Sequence, residues 1–312
     1  MKNYSFLILL LVAMLFSCKE KSKESESKPE IKKEMTAKEI LGNPDYLAIS
    51  YGGYRHVDHS IEPTLDELKD DMKLLSAMGI RILRTYKVHL PHASNVLKAI
   101  SELKKEDPSF EMYVMLGAWI DCKNAWTELE PIHNEESERN AVEIEEVVRL
   151  ANQYPDIVKV IAVGNEAMVK WAASYYVEPW VILKWVKHLQ NLKKEGELSK
   201  DLWITSSDDF SSWGGGDTEY HTEDLTKLIK AVDYVSMHTY PYHNTHYNPA
   251  FWGVPEVEEQ LSELEKIDNA MLRARDFAMN QYKEVSKYVK SIDSSKTIHI
   301  GETGWATTSN GF

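Results

Sequence analysis

Residues 158–166 read Val-Lys-Val-Ile-Ala-Val-Gly-Asn-Glu, and residues 297–305 read Thr-Ile-His-Ile-Gly-Glu-Thr-Gly-Trp. Each is a short, β-rich apolar run that stops at a glycine and then presents a glutamate. A nearly unbroken apolar strand is one buried on both faces, as in a parallel sheet covered by helices. Comparable runs occur at 46–51, 80–86, 112–118, 202–205 and 234–238, making seven in all. Amphipathic stretches lie between them, and the first is plain. Thr64 caps it with Glu67 three residues on; Leu65, Leu68, Met72 and Leu75 form its apolar stripe, and Gly79 ends it. Strands alternating with helices predict parallel βαβ units.

The expected fold is therefore α/β, a (β/α)8 TIM barrel. A doubly wound sheet has the same alternation, but no G-x-G-x-x-G follows the first run and no phosphate loop occurs. A closed barrel needs an eighth strand. The sequence stops at Phe312, just past the seventh run, and Thr307-Thr308-Ser309-Asn310-Gly311 reads as a loop. The eighth βα unit is expected to be missing, leaving the first and seventh strands as open edges.

Hydrophobic residues make up 43% of the 312, enough for a sizeable core. A net charge of −13 repels phosphate backbones and argues against nucleic acid as a partner. Lys2 and the apolar run 6–16 read as an export signal, too short to span a bilayer. Leu15-Phe16-Ser17-Cys18 resembles a bacterial lipobox, which would make Cys18 a lipidated N-terminus and anchor the protein to a bacterial membrane, outside the cytoplasm. An ordinary cleaved signal with Cys18 incidental is the alternative. Residues 19–34 are rich in Lys, Glu and Ser and read as a solvated tether. The expected organisation is signal peptide 1–17, lipidated cysteine and tether 18–40, and barrel 41–312. Cys122 then has no disulfide partner, and a monomer is the default.

In parallel barrels the chemistry sits at the C-terminal ends of the strands. Glu166 and Glu302 leave the fourth and seventh runs there, where burial can raise a carboxyl pKa. Two carboxylates facing each other across a groove are what glycosidic cleavage needs: one holds a proton for the leaving oxygen, and the other is ionised to attack the anomeric carbon. Either alone would read as an ordinary strand-end residue.

Val163-Gly164-Asn165-Glu166 and Gly301-Glu302-Thr303-Gly304-Trp305 resemble the two signatures of glycoside hydrolase family 17, retaining barrel enzymes with catalytic glutamates on strands 4 and 7. Tyr51-Gly52, Arg84-Thr85-Tyr86 and Tyr240-Pro241-Tyr242 agree with the same pattern, which runs from about residue 46 to 306. Residues 242–257 do not align with it. The resemblance implies an endo-acting β-1,3-glucan hydrolase of the laminarinase type, needing no cofactor. Glu166 would be the acid/base, Glu302 the nucleophile, and Asn165 a partner of the sugar 2-hydroxyl. Arg84 and Tyr240 would hold Glu302 ionised and oriented, with Tyr51 and Tyr86 supporting the substrate side. Three alternatives stay open: a transglycosylase using the same intermediate, a non-catalytic surface glycan-binding lipoprotein, and another family of the clan, because the His238-Thr239-Tyr240 pattern recurs across it.

Of nine tryptophans, Trp119, Trp126, Trp171, Trp213, Trp252 and Trp305 follow strands. Sugar rings present apolar C–H faces that stack on indoles. Trp305 is expected to line the subsite of the cleaved residue, with Trp171 and Trp213 as further candidates for the groove. Trp180, Trp185 and Trp203 fall at core spacings. The spacing of His56 and His59, and of His238, His243 and His246, suits zinc, but no H-E-x-x-H is present and no metal is expected. His238 and His243 are read instead as hydrogen-bonding groups of the groove.

Overall fold

The computed structural model describes residues 34–305. The signal segment, Cys18, residues 19–33 of the tether and the Thr307–Gly311 loop lie outside the described residues. In chain order the strands are β1 (Leu47–Ser50), β2 (Ile80–Arg84), β3 (Tyr113–Ala118), β4 (Cys122–Lys123), β5 (Ile132–Glu136), β6 (Val158–Asn165), β7 (Trp203–Asp209), β8 (Val235–His238) and β9 (Ile298–Glu302). The helices are α1 (Ala37–Ile40), α2 (Leu65–Ala77), α3 (Pro91–Glu106), α4 (Arg139–Gln153), α5 (Pro179–Glu195), α6 (Glu223–Ala231), α7 (Pro249–Trp252) and α8 (Glu263–Ile292).

Seven strands pair in parallel in the order β1-β2-β3-β6-β7-β8-β9, while β4 and β5 form a separate antiparallel ribbon. This is a TIM-barrel fold with seven of its strands among the described residues. β1 and β9 do not pair with each other among those residues, and Leu47 and Ile300 are about half exposed at the two edges.

Side chains alternate across the sheet, so each strand serves two cores. Outward, Val114 and Leu116 of β3, and Ile161 and Val163 of β6, join the main cluster beneath the helices. Leu68 and Met72 of α2 belong to the same cluster and are fully buried. Truncating Leu68 to alanine would cost about 2–5 kcal/mol through the cavity left behind. The predicted capping box holds, since the Thr64 side chain accepts from the Glu67 N–H and Glu67 Oε2 accepts from the Thr64 N–H. Inward, Met115, Val160, Ala162 and Tyr234 form a small cluster with Ala37, while Ile40 packs on Ile82 and Tyr113. The short helix α1 thus closes the interior at the end opposite the strand tips. The domain begins near residue 35, not at 41 as the tether reading has it, because Ala37 and Ile40 are buried by the barrel itself.

Toward the strand tips the inward residues turn polar. Arg84, Ser207, Ser236 and His238 are all buried, and buried polar groups on converging strands need partners, which they find in one another and in the two glutamates.

Candidate active site

Both glutamates are delivered by the same backbone device. Along β6 and β7 the pairing runs to Ala162↔Thr205 and resumes at Asn165↔Ser207, so β6 carries one extra residue. Between β8 and β9 it runs to Met237↔Ile300 and resumes at His238↔Glu302, with Gly301 the extra residue. A β-bulge re-aims the side chains that follow it. Gly164 sits at φ 83°, and a Cβ there would fall 2.9 Å from Ala167 Cβ. At Gly301 a Cβ would lie 2.0 Å from Ser236 Oγ. The glycine of each motif is therefore demanded by space. Glu166 itself has φ 45°, a left-handed conformation costing about 1–2 kcal/mol in an L residue. Its N–H donates to the Ser207 carbonyl at 2.9 Å, and the Thr239 N–H donates to the Glu302 carbonyl at 3.1 Å.

Arg84, 4% exposed, forms an ion pair with Glu302 Oε1, and its Nη2 donates to Asn165 Oδ1 at 2.7 Å. The guanidinium lies 4.7 Å from the centre of the Tyr86 ring. Tyr240 donates its hydroxyl to Glu302 Oε2 at 2.7 Å, and burial pushes that phenol up to about 12, keeping it a donor. His238 is fully buried between the carboxylates, with Nδ1 3.1 Å from Glu166 Oε1 and 3.5 Å from Glu302 Oε2. Its Nε2 lies 2.7 Å from Ser207 Oγ, which is 2.9 Å from Ser236 Oγ. Burial drives the imidazole down to about 4, so it is neutral at neutral pH.

One oxygen from each glutamate and one nitrogen of His238 lie within 4.8 Å of one another. These atoms are also of metal-ligand type. However, the Arg84 guanidinium already pairs with Glu302, so a second cation there would meet its charge. Positive charge is concentrated at Glu302, while Glu166 faces a neutral ring.

The structure thus brings Asn165, Glu166, Glu302, Arg84, Tyr86, Tyr240 and His238 together, as grouped from the sequence. Tyr51 is buried at the end of β1 and donates its hydroxyl to Asp71 Oδ2 at 2.6 Å. Trp305, 43% exposed, packs against Tyr242 at 5.1 Å and edge-on to Trp252 at 5.5 Å. His243 meets Tyr240 edge-on at 5.8 Å. Trp171 is 64% exposed in the loop after β6. Trp213 is a correction. It is fully buried, its indole N–H donates to the Ser236 carbonyl at 3.0 Å, and it belongs to the core rather than to the groove. The tight turn at Ser211–Gly215, with Gly214 at φ 82°, folds the ring back under the loop. Trp180 departs from core spacing in the other direction and is partly exposed at the start of α5.

Residues 48–312 match the BtgE/BtgC glycoside hydrolase domain. The chain belongs to that family. An endo-laminarinase structure from Formosa Hel1_33_131 is 67% identical, with a TM-score of 0.87 over 89% of this chain and 71% of that one. A family 51 α-L-arabinofuranosidase from Bifidobacterium longum is 15% identical over 85% of this chain and 56% of that one, with a TM-score of 0.44, too remote to carry an argument. No curated protein matches the chain.

Beside the paired glutamates, this glycoside hydrolase domain has a cavity of about 660 Å³ over the ends of β1, β2 and β3. Tyr54, Tyr86, Trp119 and Trp126 line it, together with Asp121 and Glu143. The sequence reading named neither carboxylate. Asp121 follows the third apolar run as Glu166 follows the fourth, so the strand-end signal was present. Glu143 sits within α4 and carries no such signal. It is buried, and its two oxygens accept the N–H groups of Val88, His89 and Trp119, each at 3.0 Å. One side chain thereby ties the loop after β2 to the end of β3.

Proposed function

We propose that this chain is a retaining endo-β-1,3-glucan hydrolase of the laminarinase type, with Glu302 as nucleophile and Glu166 as acid/base. The observation that carries this reading is the carboxylate spacing. Oxygens of the two glutamates lie within 4.8 Å, whereas an inverting pair stands roughly 6.5–9.5 Å apart to seat a water. The β-1,3 linkage is supported by the 67% identity to an endo-laminarinase. The signatures at 163–166 and 301–305 support placement in glycoside hydrolase family 17.

Glu302, held by Arg84 and Tyr240, attacks the anomeric carbon as the glycosidic bond breaks, and Glu166 gives its proton to the leaving oxygen. A glycosyl ester on Glu302 results. Glu166, now ionised, takes a proton from water as that water attacks the ester, releasing sugar with the original β configuration and restoring both groups. His238 stays neutral, and its ring nitrogen can hydrogen-bond Glu166 in either protonation state. Asn165 has its amide oxygen occupied by Arg84, which leaves the amide NH2 to donate to the sugar 2-hydroxyl.

The Leu15–Cys18 motif supports a lipid anchor on Cys18 and an extracytoplasmic site of action, with the protein acting as a monomer. Incorporation of labelled palmitate, lost in Cys18→Ala, tests the anchor. The central test is proton NMR of laminarin digestion at early times. β-Anomers appearing first and then mutarotating are expected. α-Anomers first would overturn retention, products longer than the starting chains would make the enzyme a transglycosylase, and absence of sugar release would remove the hydrolase reading.

A further inference from the structure

Trp126 carries the observation from which the inference grows. It stands at φ 62° and is 56% exposed. A bulky residue in the left-handed region is strained by about 1–2 kcal/mol, which glycine or asparagine would relieve, and exposing an indole gains nothing in folding. The neighbouring Asn124 is also left-handed, at φ 64°, and its side chain donates to the Glu130 carbonyl at 3.0 Å. Beneath the loop lies the buried carboxylate of Asp121. Arg139 Nη2 ties Asp121 Oδ2 at 2.9 Å to the Ala125 carbonyl at 3.0 Å. Tyr175 stacks on Trp126 at 5.0 Å with the ring planes 21° apart. Polar groups thus fix the loop, and Tyr175 the ring, of a strained, solvent-facing indole.

That indole forms one wall of the 660 Å³ cavity. Tyr54 lines the same cavity, stacked with His59 at 4.2 Å and His92 at 5.0 Å. The volume lies in the range of small-molecule sites, about 300–1,000 Å³. Aromatic walls suit a ring with apolar C–H faces and hydroxyl edges. Tyr86 lines the same cavity and stacks on Arg84, so the cavity adjoins the paired glutamates.

We propose that this cavity is a pyranose-binding subsite in which Trp126 is the stacking platform, taking a ring of the same glucan chain beyond the cleaved residue. Asp121 is a positioning residue, through Arg139, for the loop that carries Trp126, and Glu143 for the backbone of Trp119. The inference rests on the β-glucan reading above.

The test measures calorimetric binding of laminari-oligosaccharides of increasing length to the full-length protein in a Glu302→Gln background. Affinity should step up at the length that reaches the wall. Trp126→Ala should lower it by about tenfold beyond that length, the worth of one stacked ring. Trp126→Phe should restore most of it, and Asp121→Asn should give an intermediate loss. Unchanged melting temperatures establish that the variants fold. Equal affinity at every length in Glu302→Gln with or without Trp126→Ala would overturn the proposal. Should oligosaccharides of another β-linkage bind in place of laminari-oligosaccharides, and lose affinity on Trp126→Ala, the subsite stands and the β-1,3 assignment falls.

Discussion

Replacing Arg84 with methionine isolates what its charge does for Glu302. The side chains of Arg84 and Glu302 are only 5% and 8% exposed, so water screens their interaction little. Removing one partner of a buried pair leaves an uncompensated charge, at a cost of about 3–5 kcal/mol. A carboxylate escapes that cost by taking up a proton, and each pKa unit is worth 1.36 kcal/mol, so the proton affinity of Glu302 should rise by about 2–4 units. A protonated Glu302 cannot attack. Activity of Arg84→Met at pH 6 should therefore fall about a hundredfold and partly recover as the pH is raised. The assay is kcat/KM on laminarin, by reducing-end release, across a pH series. The acidic limb of the variant should be displaced upward by about the same 2–4 units. Arg84→Lys keeps the charge but loses the fork that reaches both Glu302 and Asn165, and should fall between the two. A uniform loss at every pH with the acidic limb unmoved would refute the electrostatic role and leave Arg84 as an anchor for Asn165.

Glu302→Ala should abolish hydrolysis without a large loss of fold if Glu302 is the proposed nucleophile; measurable turnover on laminarin would remove that assignment. Asp208 is fully buried and is pushed up to about 8 by that burial, against hydrogen bonds from the Met168 and Asp209 N–H groups. Its folded pKa lies above the unfolded value of about 3.9, so its contribution to stability is greatest below pH 4 and is lost as the pH rises toward 8. Asp208→Asn should remove that slope, gaining in melting temperature relative to the parent between pH 5 and 8; parallel melting curves across that window would refute the buried protonated carboxyl.

The sequence made legible the parts of the site that the backbone delivers. Gly164-Asn165-Glu166 and Gly301-Glu302 end apolar strands, and strand ends are short-range features, so the motifs were readable before any tertiary contact was known. The reason for their glycines was not readable. The bulges exist only in register with β7 and β8, and Gly301 is required by Ser236 on a neighbouring strand. Helix α1 was missed although Thr36 and Glu39 carry a capping-box spacing, with the Thr36 N–H donating to Glu39 Oε2 at 2.9 Å. A single turn is not stable alone, and it forms because the barrel interior buries Ala37 and Ile40.

The tryptophans expose the limit of reading residue type by position. Trp126 and Trp213 both follow strands, and both were placed in top-face loops. Asp121 and Arg139 hold the loop of Trp126 outward against its own backbone preference, whereas the turn at Ser211–Gly215 returns Trp213 to the core. What separates them is a buried carboxylate under one loop and a hydrogen-bonded indole under the other. Neither is a property of tryptophan or of its distance from a strand. The paired glutamates are therefore placed by local features, at the strand ends, while the proposed subsite is set by second residues far off in sequence: Arg139 for Asp121, and Glu143 for Trp119. Variation in chain-length preference among such barrels should follow those supporting residues as closely as it follows the tryptophans themselves.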